Sequence, residues 1–141
     1  MSVDLSEEFG SNERAEIEGV WVSLGEDAGI KVARLGNPEA QKAYRKIPRA
    51  ITRAIEGGVM GNKEAVKFLS RFMANHILKD WKGLSHKGKP LPAYSSEHGA
   101  EHMKEFRRFR DRVWEISVDD DLYNVELEDD VGNSSKRSGG S

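Results

Sequence analysis

Residues 19–46 read GVWVSLGEDAGIKVARLGNPEAQKAYRK, and this stretch decides the fold of the first half of the chain. Two runs in which apolar and polar residues alternate, GVWVSLG and IKVARL, flank the turn sequence GEDAG. Two short alternating runs that are joined by a glycine-rich turn predict a β-hairpin. In this hairpin, Val22 or Trp21 is expected to face Ile30 and Val32 across the turn.

The residues after the hairpin predict a series of helices. Asn37 and Pro38 are residue types that are favoured at the start of a helix. Pro48 forces a break in this helix or a restart. A second short helix is expected in PRAITRAIEGG, with its end at Gly57 and Gly58. The strongest helical periodicity follows Asn62, and it predicts that KEAVKFLSRFMANHILKDW is one continuous helix.

The second half of the chain predicts a loop and one long helix. The segment WKGLSHKGKPLPAYSS is rich in Gly, Pro and Ser and is predicted to be a loop. Ser95 or Ser96 is then expected to cap a helix through SSEHGAEHMKEFRRFRDRVWEIS. Its apolar side is formed by Met103, Phe106, Phe109 or Arg110, Val113 and Ile116. One more turn or short helix is expected to carry Leu122, Tyr123 and Leu127.

Together these elements predict an α+β fold that is predominantly α-helical. An N-terminal β-hairpin is followed by four to five helices in one small domain with flexible acidic ends. The ends are acidic because residues 1–18 hold six acids against one arginine, and residues 119–141 hold seven acids against two basic residues. The segment between them is basic.

This uneven composition predicts three parts of the chain. They are an acidic flexible leader (1–17), a folded domain (18–127) and a disordered tail (128–141). The acidic ends are interpreted as solvated tails, with a functional alternative in which they mask the basic body or engage a basic partner.

Composition also excludes several classes of protein. The chain has no cysteine, which excludes a disulfide scaffold and a thiolate metal site. No apolar run approaches the roughly 18 residues that a membrane span needs, and the acidic, polar start is unlike a secretory signal. These features predict a cytoplasmic protein that does not engage a membrane.

Residues 98–102, HGAEH, match the zinc-binding pattern of the inverted metalloproteases. His98 and His102 would share one helix face, but a catalytic zinc needs a third protein ligand. The acids downstream lie in a segment that is expected to be loosely ordered, and Gly99 weakens a helix. A capped helix start accounts for the motif, so no catalytic residue, metal ligand or cofactor is predicted. Adventitious binding of a metal ion by the two histidines is left open.

The run KEFRRFRDR, residues 104–112, places five positive charges within nine residues. Such a run is suited to phosphate contacts, but Phe106 and Phe109 are predicted to face inward. The isoelectric point of about 6.1 is also low for a nucleic-acid-binding protein. An acidic or amphipathic protein partner is therefore favoured over nucleic acid, with a simple solvated face as the remaining alternative.

Three blocks of the sequence, in this order, resemble the tail assembly chaperones of bacteriophages with long, non-contractile tails. The first is residues 19–46, the second is DWKGLSHKGKPLPAYSSEHGAEHM and the third is FRRFRDRVWEISVDDDLY. Together they cover about residues 18–124. Ala93 departs from the family pattern, because it separates Pro92 from Tyr94 where the family has Pro-Tyr-Ser.

The resemblance implies a non-enzymatic protein that binds the tape measure protein, a very long helical protein, and keeps it soluble while the tail tube polymerises around it. It implies that this chain is the short form and that a frameshifted longer form recruits the tail tube protein. The expected location is the host cell cytoplasm, with absence from the mature virion. The alternative is a minor tail or tail completion protein that stays in the virion. Self-association is left open, and neither nucleic acid nor a membrane is an expected partner.

Aromatic and basic residues supply the candidates for partner binding. Tryptophan is favoured at binding hot spots, and a basic helix face would steer an acidic client. The candidates are Trp21, Trp81, Lys104, Arg107, Arg108, Arg112 and Trp114. Each tryptophan has an alternative interpretation as part of the core.

Overall fold

Helices dominate the computed structural model, which describes residues 2, 4–5, 13–58 and 62–123. The helices are α1 (Glu13–Glu18), α2 (Pro38–Arg45), α3 (Arg49–Glu56), α4 (Lys63–His76), α5 (Ser96–Glu105) and α6 (Arg107–Ser117), with a 3-10 turn at Asp120–Tyr123. The strands are β1 (Val20–Ser23), β2 (Gly29–Val32), β3 (Leu78–Lys82), β4 (Ser85–His86) and β5 (Lys89–Pro90). The predicted α+β class is confirmed, and five helices follow the hairpin within the described ranges. None of the helices in these ranges is long and apolar enough to cross a membrane.

The predicted N-terminal hairpin is confirmed. β1 and β2 are antiparallel, and Val22 is paired with Ile30 while Val20 is paired with Val32. All four side chains are buried, because the alternation places them on the face that packs against the helices. Trp21 points to the other face and is half-buried.

The third strand corrects the prediction of one helix from residue 63 to residue 81. α4 ends at His76, and β3 pairs antiparallel with β2, so that β2 is the centre of a three-stranded sheet. Ile77 marks the transition, since its carbonyl accepts a 2.7 Å hydrogen bond from the amide of Ala33. Leu78 and Trp81 are three residues apart, which fits a helix better than the alternation of a strand. Pairing with β2 overrides this helical periodicity, and a register shift between Lys31 and Val32 allows both side chains to be buried in β3.

The predicted starts of α2 and α4 are confirmed by their capping bonds. The side-chain oxygen of Asn37 accepts a 2.9 Å hydrogen bond from the amide of Ala40, and that of Asn62 accepts an equal bond from Ala65. Pro48 separates α2 from α3, as the sequence predicts.

The predicted flexible leader differs from the structure at residues 13–17, which belong to α1. Ala15 is buried in the core, and the carbonyl of Glu16 accepts a 2.8 Å hydrogen bond from the amide of Arg34. The Arg34 guanidinium also pairs with the carboxylates of Glu16 and Asp120. α1 is therefore fixed to β2 and to the 3-10 turn. Leu127 and the predicted tail 128–141 lie outside the described residues.

Tyr94 joins three elements of the fold, α4, β3 and α5. Its hydroxyl lies 2.6 Å from the carbonyl oxygen of Ala74 and 2.9 Å from that of Leu78. It is therefore within hydrogen-bond distance of both the end of α4 and the start of β3. Its ring packs edge-to-face on Trp81, with centroids 4.8 Å apart. On its remaining side lies Gly99 of α5, where an added Cβ would be 2.7 Å from the tyrosine ring. Gly99 is thus explained by close packing against Tyr94.

Replacement of Gly99 by alanine is expected to destabilise the protein by about 1–3 kcal/mol, because the new methyl group would overlap the Tyr94 ring. This loss would exceed the gain of about 1 kcal/mol that alanine gives in a helix. In a Tyr94→Ala background the same change should become neutral or stabilising. Urea unfolding of both single variants and the double variant measures this coupling. Equal effects of Gly99→Ala in the two backgrounds would contradict it.

Stability is also expected to fall at alkaline pH. Burial raises the pKa of Tyr94 and the pKa of Tyr123 well above the usual tyrosine value of about 10. The unfolded chain therefore releases these protons first, and stability that is complete below about pH 10 is lost as pH rises above it. Each tyrosine adds about 1.4 kcal/mol per pH unit to this loss. Urea unfolding across this pH range tests it, and an unchanged slope in a Tyr123→Phe variant would contradict it.

Candidate protein-binding groove

The predicted long helix after Ser95 is interrupted at Phe106, which corrects the sequence interpretation. Ser95 caps α5 as expected, but Phe106 has extended backbone angles and separates α5 from α6. The interruption frees the carbonyl of Met103 from its helical partner. The buried guanidinium of Arg110 donates a 2.9 Å hydrogen bond to this carbonyl. Arg110 therefore occupies the inward position that Phe109 was expected to share.

Phe106 was predicted to face inward, but its side chain is 36% exposed. It occupies the N-cap position of α6, where its side chain makes no capping hydrogen bond. Serine, threonine, aspartate and asparagine are preferred there, because their oxygen satisfies a free amide of the first turn. Phe106 therefore departs from two local preferences, since a large aromatic side chain is exposed and the N-cap position lacks a side-chain hydrogen bond. Such violations are typical of functional sites.

Phe106 forms one wall of a shallow apolar groove between α5, α6 and two hairpin turns. The groove has a volume of about 230 Å³. Its lining consists of Leu24, Leu84, Ser85, His86, Leu91, His102, Phe106 and Phe109. This volume is below the range of about 300–1,000 Å³ that is usual for small-molecule pockets. It is suited instead to one or two apolar side chains of a partner.

Two histidines pack against Phe106 at the floor of the groove. The ring centroid of His86 is 5.1 Å from that of Phe106, and the His102 ring is nearly parallel to Phe106 at 6.3 Å. His102 Nδ1 lies 2.8 Å from the carbonyl oxygen of His98, which can only accept, so Nδ1 carries the proton in this contact. Among the described residues, no three His, Cys, Asp or Glu side chains form a group that could hold a metal ion.

A second depression of about 320 Å³ adjoins the groove and shares Leu84, Ser85 and Leu91 with it. Its other walls are Trp81, Lys82, Gly83, Pro90, Pro92 and Ala93. The two depressions lie on either side of the segment that carries β4 and β5. This segment was predicted to be a loop and instead forms a two-residue-per-strand hairpin.

The predicted basic candidates lie on the exposed side of α5 and α6. Arg107 is 3.7 Å from Asp111, and Arg112 is 3.6 Å from Glu115, so both form ion pairs along their own helix. Arg108 is exposed and forms no ion pair with the described part of the chain. Lys104 faces a different depression, which it lines together with Lys63 and Lys67 of α4. The basic run is therefore divided between two surfaces.

The three candidate tryptophans have different environments. Trp81 is only 7% exposed, and its indole N–H donates a 2.8 Å hydrogen bond to the carbonyl of Pro92. Its side chain therefore has a structural role within the fold. Trp114 is half-buried against the core. Trp21 is half-buried, with the ammonium group of Lys82 4.6 Å from its ring centroid. None of the three lines the groove beside Phe106.

Sequence reasoning missed the apolar groove residues. Leu24 continues the inward alternation of β1 but is 37% exposed, since the strand ends at Ser23. Leu84 and Leu91 lie in a segment that was predicted to be a loop, WKGLSHKGKPLPAYSS. The only signal for the exposed Phe106 was Arg110, because an arginine on a predicted apolar stripe indicates a change in the phase of the helix.

A family comparison identifies the origin of the chain. The family model described as the YdaY prophage protein matches residues 35–133, which is more than half of the chain. The chain belongs to the YdaY prophage protein family. The matched range includes α2 to α6, and it contains every groove residue except Leu24. The predicted phage origin is confirmed, while the description of the family names no tail assembly chaperone. Neither a curated protein nor a solved structure matches the chain.

The unusual N-cap predicts a difference between two substitutions at one position. Phe106→Ala and Phe106→Ser both remove the ring, but only serine supplies a capping oxygen to α6. The serine variant should therefore be more stable than the alanine variant by about 1 kcal/mol in urea unfolding. The same pair of substitutions at Val118, which is exposed beyond the end of α6, is the control and should differ little. Equal stability of the two Phe106 variants would contradict the capping interpretation.

Proposed function

We propose that this prophage protein is a tail assembly chaperone that binds the tape measure protein and keeps it soluble while the tail tube polymerises around it. The observation that carries the proposal is the exposed Phe106 in an apolar groove at a helix start without a side-chain cap. Membership of a prophage protein family supports a role in the phage life cycle. The resemblance of the three sequence blocks supplies the client.

The groove suits a helical client for a physical reason. A very long helix with an unpaired apolar stripe aggregates, because contiguous exposed apolar surface associates in water. A groove that accepts apolar side chains from one helix face covers part of this stripe. Many copies of the chaperone, bound along the client, would cover the apolar stripe and keep the client soluble until tube subunits replace them.

The proposal includes the wider expectations for such a protein. It acts in the host cell cytoplasm without enzymatic activity, and it is absent from the mature virion. A frameshifted longer form brings in the tail tube protein. The basic face of α6, with Arg107, Arg108 and Arg112, assists the encounter with acidic stretches of the client through long-range attraction.

Co-expression with the tape measure protein of the same prophage tests the proposal. The wild-type chain should raise the soluble fraction of the tape measure protein and co-elute with it. Phe106→Ser should lower that fraction to the level seen without the chain, whereas Val118→Ser should behave like the wild type. Insoluble tape measure protein in every case, without co-elution, would reject the proposal. Peptides of this chain in purified virions would favour the minor tail protein instead.

A further inference from the structure

The rim of the groove carries an asymmetric distribution of charge. Lys87 and Lys89 lie in the turn and second strand of the β4–β5 hairpin, next to the groove residue His86. Arg108 lies in the first turn of α6, between the groove residues Phe106 and Phe109. All three are exposed, and none forms an ion pair with another described residue.

The β1–β2 turn, which also borders the groove, carries charge of the opposite sign. Leu24 belongs to the β1–β2 turn, which also carries the exposed acids Glu26 and Asp27. This turn abuts Gly83 at the entrance to the β4–β5 segment, because the Asp27 backbone leaves no room for a Cβ there. Glu105 is a further exposed acid, immediately before Phe106. Beside the groove, the exposed cations that form no ion pair with a described residue therefore lie at the hairpin tip and at the start of α6.

The hairpin tip shows a second departure from local preference. Lys87 and Gly88 form a two-residue turn, and both have positive φ angles, 52° and 79°. Glycine, asparagine and aspartate are the usual residues in such a turn, since an ordinary side chain is strained there. The strained position places a lysine at the end of the hairpin, beside the groove.

We infer that the groove and its adjoining depression bind one face of an amphipathic helix whose apolar stripe carries acidic residues along one flank, the flank that meets the hairpin tip and the start of α6. Apolar side chains three or four positions apart lie about 5–6 Å from one another on a helix, so successive anchors reach neighbouring depressions. The flanking acids face Lys87, Lys89 and Arg108. This inference rests on the proposed function, because it names the kind of client segment that the chaperone recognises.

Charge complementarity places the acids on the flank of the helix that meets Lys87, Lys89 and Arg108, the three cations that have no ion pair with a described residue. An acid-flanked helix neutralises these cations while it covers Phe106.

Three fluorescent helical peptides of about 18 residues, which is five turns, test the inference on the full chain. They share one stripe of leucine and phenylalanine and differ only in the residues along one flank of that stripe, which are glutamate, glutamine or lysine. Fluorescence anisotropy should give the tightest binding for the glutamate peptide and at least about tenfold weaker binding for the lysine peptide. Added salt should weaken the binding of the glutamate peptide more than the binding of the other two peptides.

Variants of the chain assign the binding to this surface. Phe106→Ser should weaken the affinity for the glutamate peptide by at least about tenfold. The double change Lys87→Glu with Arg108→Glu should reverse the preference toward the lysine peptide. Val118→Ser and Arg53→Glu, an exposed apolar residue beyond the end of α6 and an exposed cation on α3, are the matched controls and should leave both affinities unchanged.

Equal affinity for the glutamate and lysine peptides, or no effect of Phe106→Ser, would overturn the inference. A dimer that Phe106→Ser converts to a monomer, without peptide binding in either variant, would assign the groove to self-association and would also overturn it. The outcome is separable from that of co-expression. Peptide binding without solubilisation of the tape measure protein would reject the proposed function alone. Phe106-dependent solubilisation without selectivity among the peptides would reject this inference alone.

Discussion

The position of the groove depends on the contacts of one half-buried side chain, Tyr94. A helix leaves its last carbonyl groups without intrahelical partners, and Tyr94 supplies a hydroxyl to Ala74 at the end of α4. The same hydroxyl reaches Leu78, where the chain has already become a strand. Since the ring also packs on Gly99, the beginning of α5 is held against this junction. The arrangement explains why a motif with the spacing of a zinc site contains a glycine.

Beyond this junction, the groove and its adjoining depression both use residues of the segment between β3 and α5. Trp81 donates to the carbonyl of Pro92 and so fixes the chain that returns from the β4–β5 hairpin. The interruption at Phe106 then turns α6 away from the line of α5, with Arg110 satisfying the freed carbonyl of Met103. A continuous helix would leave no N-cap position at residue 106. The exposed aromatic residue is a direct consequence of the break.

Much of this architecture could be predicted from local patterns, and the errors have one physical origin. The hairpin, the asparagine caps and the break at Pro48 depend on residues that are close in sequence, and each was predicted correctly. β3 was predicted as helix because Leu78 and Trp81 have the spacing of a helix, and only pairing with the distant strand β2, with its register shift, makes this segment a strand. The break at Phe106 contains neither proline nor glycine, and it depends on the Arg110 side chain reaching back by seven residues.

The candidate site was the least predictable part for the same reason. Tryptophans and arginines are conspicuous by residue type, but Trp81 is used within the fold and the Arg107 and Arg112 side chains pair along their helix. The groove brings together Leu24 from one hairpin, Leu91 from another and Phe106 from a helix junction. No local pattern unites residues from three such segments.

Site-specific photo-crosslinking tests most directly whether the Phe106 groove is where the tape measure protein binds. A photoreactive phenylalanine analogue at position 106 should yield a covalent adduct with the co-expressed tape measure protein. The same analogue at Val118, which is 49% exposed and outside the groove, should not. An adduct from position 118 without one from position 106 would contradict the account.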